Sequence, residues 1–249
     1  MRNIINYEEQ YIKESNLSCR FEEKYQVKYR QKMVAKCLEK YKHDSILEVG
    51  CAMESQGNFI YDMKKYVIVE PGKKFIEKAK KDLEGKAIHY VEGFLENSIE
   101  ELKKWSYDFI IVGSLLHELE KPREFLKSLS QVCNRETVIH VNVPNARSLH
   151  RLLAEKSGFI KDIYTMSDRN KLFQQHEVFD LESLSRLIQE CGGDILDKGS
   201  YFVKPFTHDQ MMRCLQDGII SDEVLEGLDQ MIDFMPEFGS EIYANFCFL

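Results

Sequence analysis

Short runs of consecutive apolar residues, rich in β-branched side chains, recur through the middle of the chain at 45–49, 66–70, 87–91, 107–113 and 136–142. Runs this short and this continuously apolar suit strands covered on both faces. Segments near 57–64, 73–84, 97–105 and 121–132 separate them, and these predict helices. Pro122 opens the last of these, at a position where its missing N–H leaves nothing unsatisfied. Strand, helix and strand in this order predict right-handed crossovers and an α/β fold, a doubly wound, mostly parallel sheet with helices on both faces.

The flanks are patterned differently. From about Phe21 to Tyr41 the apolar positions Tyr25, Val27, Met33, Val34, Cys37 and Leu38 have a rough helical spacing and predict a helix packed on the domain that follows. After Asn142 the pattern predicts a helix near 146–157, a polar stretch through Gln175, a helix at 180–191 and a strand near 194–200. A long insertion then carries DGIISDEVLEGLDQMIDF, read as one or two helices, before a last, antiparallel strand IYANFCFL at 242–249. The organisation expected is an N-terminal helical cap over 1–42 and one domain over 43–249, with substrate-side insertions at about 143–193 and 201–240.

Composition narrows the partners. A chain of 249 residues, 43% hydrophobic, can bury a full core. Its net charge of −7 argues against nucleic acid as a partner, because a phosphate backbone calls for a basic face. A small molecule is the easier substrate. The seven cysteines, Cys19, Cys37, Cys51, Cys133, Cys191, Cys214 and Cys247, show no CxxC and no zinc spacing, so no metal site is expected and the thiols read as reduced. MRNIINYEEQ lacks the apolar core of a secretory signal, and no run approaches the ~18 apolar residues of a membrane helix. The expectation is a cytoplasmic protein without a membrane span; a homodimer is left open.

The chemistry concentrates at strand ends. In SILEVGCAMESQGNFI, Gly50 stands just beyond the first strand, where an open α/β sheet binds ligands, and glycine there admits positive φ and close approach of a ligand. Glu70, 20 residues on in YVIVEPG, is placed to accept hydrogen bonds from both hydroxyls of a ribose. Taken with YDFIIVGSLLHELEKPREFL, these segments resemble, in order and spacing over roughly 21–145, a class I S-adenosylmethionine-dependent methyltransferase of Rossmann-like fold.

That resemblance implies S-adenosylmethionine as cofactor and S-adenosylhomocysteine as product. It implies that Glu48, Gly50, Cys51 and Ala52 match the turn beside the methionine part, Glu70 the ribose-binding acid, and Pro71 and Gly72 the flank of the adenine. Phe94 and Leu95 match the segment bordering the adenine, and Ser114 and Leu115 the strand end beneath the sulfonium. Two departures stand out. Ala52 occupies the place of the second glycine, at a cost on the order of 1 kcal/mol for positive φ, and the loop to Gly57 is about three residues longer than usual, with Gly57 expected to start a helix.

On the acceptor side, His117 follows the fourth strand, where a base or positioning group belongs. Glu118 follows it, but Lys121 breaks any HExxH zinc motif. Asn145 and Arg151, in VPNARSLHRLL, are candidate substrate contacts, with helix capping and surface charge as the alternative. FQQHEVFDLESL and GSYFVKPF resemble, more loosely, bacterial methyltransferases of polysaccharide and capsule biosynthesis, which implies a catalytic or ligand role for His176 and an O-methylated, carbohydrate-linked acceptor. Tyr201 and Lys204 join aromatic face and cation in a manner suited to a sugar or phosphate, and equally to a core turn. Tyr7, Tyr11, Tyr25 and Tyr29 suit a lid or ordinary helix packing. A non-catalytic partner subunit and an NAD-dependent oxidoreductase remain the rival readings.

Overall fold

A computed structural model of the chain describes residues 6–16, 21–166, 170–171 and 175–249. Cys19, and the Phe173–Gln174 part of FQQHEVFDLESL, lie outside them. The apolar runs become β1 (Ser45–Val49), β2 (Lys65–Glu70), β3 (Ile88–Glu92), β4 (Phe109–Gly113) and β5 (Val138–Pro144), all parallel. β6 (Gly193–Tyr201) and β7 (Glu241–Phe248) complete one sheet of order β3-β2-β1-β4-β5-β7-β6. β7 inserts antiparallel to both neighbours, with Val141 opposite Ala244, as IYANFCFL predicted.

Alternation along β1 shows how the two faces are filled, since successive side chains on a strand point to opposite sides. Leu47 and Val49 join Val67, Ile110, Val112 and the helices on one face, where α5 (Pro122–Ser130) contributes Leu126 and α7 (Leu181–Glu190) contributes Ile188. Ile46 joins Ile68, Phe109 and Ile111 on the other, covered by α2 (Val27–Lys40) and α3 (Lys73–Asp82). Each such fully buried side chain contributes about 1.5–3 kcal/mol. Val34, Cys37 and Leu38 of α2 are the residues that pack, in agreement with the spacing read from the sequence. A short π turn, Glu22–Gln26, leads directly into α2.

Five further helices stand among the described residues: α1 (Tyr7–Ser15) before that turn, α4 (Ile99–Leu102) before β4, and α6 (Leu149–Lys156) after β5; then α8 (His208–Gln216), followed by α9 (Asp222–Gln230), fills the insertion before β7. A third apolar cluster joins the two ends of the chain, packing Phe21 and Tyr29 against Tyr201, Phe202, Met211 and Leu225.

Two helical expectations need correction. No α-helix occupies 57–64: a single 3-10 turn, Gln56–Asn58, is all that forms, and Gly57 lies inside it. The carbonyls of Gly57 and Ile60, which a helix would use itself, accept from Lys86 Nζ at 2.5 and 3.3 Å. The helix expected over 97–105 shrinks to α4, because Ser98 Oγ turns back to the Phe94 carbonyl at 2.9 Å and the chain leaves the helix at Lys103.

Candidate active site

The carboxyl ends of β1, β2 and β4 open on a cavity of about 960 Å³, at the upper end of the range for ligand pockets and large enough for two ligands side by side. It lies where strand order reverses, between β1 and β4.

Backbone conformation shapes its first wall. Gly50 has φ +79°, and a Cβ built there would meet nothing nearer than Leu115 Cδ2 at 3.9 Å, so the turn leaves open space for a ligand. Ala52 takes φ +45° and Ser114 φ +54°, both in the left-handed region. Glu48 holds the loop between them in shape. Its buried carboxylate accepts from Ser55 Oγ, from the Gln56 N–H at 2.8 Å and from the Tyr66 hydroxyl at 2.9 Å, and burial raises its pKa to about 7. Glu48 is therefore fully engaged beneath the loop and supports it.

Glu70, buried at the end of β2, accepts from the Cys51 N–H at 3.1 Å and the Gly72 N–H at 2.7 Å. An ionised carboxylate has about four acceptor positions, so a diol can still be held on the remainder. Burial raises its pKa to about 7 against the pull of those N–H groups. Gly72 is not on the cavity wall; a Cβ there would come within 2.5 Å of Phe75 Cδ2, which accounts for the glycine. Pro71, Phe94 and Leu95 do line the cavity. Tyr7 meets Phe94 edge-on with centroids 5.9 Å apart, and Tyr11 meets Phe75 at 5.2 Å, so α1 lies across this end.

Beyond Ser114 and Leu115 stands His117, buried, with Nδ1 lacking any hydrogen-bond partner. Burial lowers its pKa to about 4, so the ring is neutral at pH 7. Its carbonyl accepts from the His176 N–H at 2.8 Å, which brings the two histidines named from sequence onto one wall. Glu118 beside it is raised to about 8, chiefly by burial and then by Glu14 and Glu70.

The far wall carries Asn145, His150, Arg151, Lys204 and His208. Two of these have structural duties that the sequence did not show. Asn145 Nδ2 donates to the Glu237 and Gly239 carbonyls at 2.9 and 2.8 Å, and Arg151 donates to the carbonyls of Ile163 and Thr165. Tyr201 does not reach the cavity: it is buried behind the wall, donating to Glu241. Glu241 also accepts from Arg30 Nε at 3.1 Å, Arg30 Nη2 at 2.5 Å and Asn142 Nδ2 at 2.9 Å. Arg30 and Glu241 were missed in the sequence because 211 positions separate them and neither sits in a local motif.

Residues 47–141 match the model of a family described as a methyltransferase domain. Over those residues the chain carries a methyltransferase domain. Methyl transfer is the reaction for which that family is named. Solved structures similar to this methyltransferase include a possible histamine N-methyltransferase from Thermotoga maritima, 16% identical, covering 97% of each chain with a TM-score of 0.60. The N-methyltransferase NodS from Bradyrhizobium japonicum, with S-adenosylhomocysteine bound, is 12% identical over 97% of this chain and 98% of its own, TM-score 0.55. An Archaeoglobus fulgidus S-adenosylmethionine-dependent methyltransferase is 16% identical over 91% and 97%, TM-score 0.54. At these identities the likeness shows the fold. No curated protein matches the sequence.

Proposed function

We propose that this methyltransferase O-methylates a small, carbohydrate-linked acceptor, a sugar, nucleotide-activated sugar or phosphorylated sugar substituent, in cytoplasmic polysaccharide or capsule biosynthesis. The observation that carries the reading is the single cavity that joins the Gly50–Glu70 wall to the His117–Lys204 wall. The sugar class rests on the resemblance of 143–248, with its FQQHEVFDLESL and GSYFVKPF segments, and on the mixed basic and polar far wall.

Glu70 holds the ribose hydroxyls of S-adenosylmethionine; Pro71, Phe94 and Leu95 border the adenine, with Gly72 shaping the turn behind them. Gly50, Cys51 and Ala52 cradle the methionine part, and Ser114 and Leu115 close the floor. When bound, the cofactor supplies an electrophilic methyl carbon on a sulfonium sulfur. The chain's own contribution is alignment and exclusion of water, and alignment alone can supply several kcal/mol. His117, neutral and with Nδ1 unpartnered, orients the acceptor hydroxyl and receives its proton; an imidazole of pKa about 4 is a weak base, so orientation is its larger part. His176, Lys204, Asn145 and Arg151 bound the acceptor space, the last two as braces for the wall. Residues 1–42 act as its cap and 43–249 as the methyltransferase domain.

The test is the thermal shift of the purified protein with S-adenosylhomocysteine, beside NAD and a Glu70→Ala control. At a hundredfold excess over Kd, binding adds about 2.7 kcal/mol. A rise with S-adenosylhomocysteine alone, abolished by Glu70→Ala, is expected. No rise would make the chain a partner subunit without catalysis; a rise with NAD alone would overturn the cofactor assignment.

A further inference from the structure

Hydrogen-bond acceptors gather where α1 meets the 3-10 turn Leu116–Glu118 that follows β4. Gln10 of α1 and Glu118 of the turn both line the cavity, and Gln10 donates a hydrogen bond to Glu118. Gln10 is 8% exposed, and its Nε2 also donates to Glu14 Oε1 at 3.1 Å. Two carboxylates thus hold the N–H groups of the amide and fix which way it points, since turning it over would set its oxygen against both acids. Gln10 Oε1 is left as a buried acceptor with no hydrogen-bond partner, a state whose cost a donor would remove.

Among the described residues Glu118 has no cationic partner. Of the charges that reach it, Glu14 and Glu70 are like charges and Arg30 the opposite one, and Arg30 is already committed to Glu22 and Glu241. The His117 ring, with Nε2 4.0 Å from Glu118 Oε1, is neutral at pH 7. Burial, reinforced by the like charges, raises the Glu118 pKa to about 8, so the carboxyl by itself is mostly neutral at pH 7, and a positive charge beside it would ionise it.

We propose that Gln10 Oε1 and Glu118 form a subsite for a protonated primary amine of the methyl acceptor, carried on the carbon next to the hydroxyl that faces His117. An ammonium brings three donors and one positive charge, and the pair answers with an amide oxygen and a carboxylate. The inference rests on the reading of the cavity as a carbohydrate methyl-acceptor site and narrows it to amino sugars. Holding the amine as an ammonium also decides which atom reacts: it has no lone pair to give the methyl carbon, whereas the adjacent hydroxyl keeps its own. A neutral or N-acylated sugar would leave Glu118 without a counter-charge, so the subsite selects against both.

The experiment is carboxyl carbon NMR on glutamate-labelled protein saturated with S-adenosylhomocysteine, with the Glu118 signal assigned from Glu118→Gln. Glucosamine, N-acetylglucosamine, glucose and ethanolamine are titrated at matched ionic strength. Saturable movement of the Glu118 signal toward its ionised position by glucosamine, with an apparent pKa lowered by at least a unit and no such movement by glucose or N-acetylglucosamine, is the expected result. Gln10→Leu should weaken the glucosamine response about tenfold. The subsite is wrong if neither amine moves Glu118, if the neutral sugars move it as far, or if Gln10→Leu responds as the parent does. It is equally wrong if glucosamine acts only before S-adenosylhomocysteine is added, because Glu118 then serves the ammonium of the cofactor. If Gln10→Leu does not fold, the titrations of the parent protein still decide. Ethanolamine acting where glucosamine does not would keep the amine subsite and strike the sugar reading. Saturation by S-adenosylhomocysteine is read separately, so loss of cofactor binding strikes the methyltransferase reading and loss of amine binding strikes the subsite.

Discussion

At the scale of the residue, Glu70 carries the pH dependence that the proposed function predicts. Burial holds its pKa near 7, so below that pH the free protein carries the neutral acid, which accepts fewer hydrogen bonds. In the proposed function, ribose hydroxyls donate to the ionised form and favour it, and binding is therefore predicted to release a proton. The sign follows: affinity for S-adenosylhomocysteine is weak at pH 6, strengthens as pH rises through about 7 and levels off above. Calorimetry in buffers of differing ionisation enthalpy should show proton release near pH 6.5, and Glu70→Gln should flatten this part of the profile while costing ten- to a hundredfold in affinity, the value of about 1.5–3 kcal/mol for hydrogen bonds to a charged group. Glu48 titrates in the same range but under the loop, which is why the Gln variant and not the profile alone isolates Glu70. That Glu70 and Gly50 face the cavity was legible in the sequence because both stand at strand ends. Tyr201 was not, since an aromatic beside a lysine reads the same whether it faces a ligand or, as here, donates to a buried Glu241.

At the scale of elements, strands were read to within two residues at each end, because an apolar run bounded by polar turns admits few alternatives. The missing helix after Ser55 marks the limit of that reading: helical apolar spacing was present, but Lys86, far along the chain, claims the carbonyls that the helix needed. α1 carries the clearest functional consequence. It lies across the Phe94 end of the cavity through the Tyr7–Phe94 and Tyr11–Phe75 edge contacts, pairs of a kind worth about 0.5–1.5 kcal/mol each beyond their burial. Tyr7→Ala should therefore speed release of S-adenosylhomocysteine about two- to tenfold in stopped-flow measurements and leave the melting temperature of the free protein nearly unchanged. An unchanged release rate would make α1 a packing element only.

For the whole molecule, the mostly parallel sheet and the antiparallel β7 were legible, whereas the junction between the N-terminal helices and the insertion was not, being built from contacts nearly the full length of the chain apart. Arg30 and Glu241 lie at its centre. Removing one member leaves the other as a buried charge, at a cost of about 3–5 kcal/mol, while apolar replacement of both is far milder. Arg30→Met and Glu241→Leu should each lower the urea midpoint sharply, and the double variant should recover most of the loss; additive losses would show that the two act independently.

The same ion pair orders events in time. Arg30 leaves the ribosome some two hundred residues before Glu241, so α2 cannot reach its final partner until nearly the whole described sheet has been synthesised. Until then the apolar face formed by Val34, Cys37 and Leu38 has only part of its sheet to rest on, and the nascent chain carries an exposed surface of the kind that chaperones bind. β7, the strand that closes the sheet between β5 and β6, is thus also the step that makes the cavity whole: a chain cut short before Glu241 keeps the Gly50 turn and Glu70 but has no anchored wall opposite them.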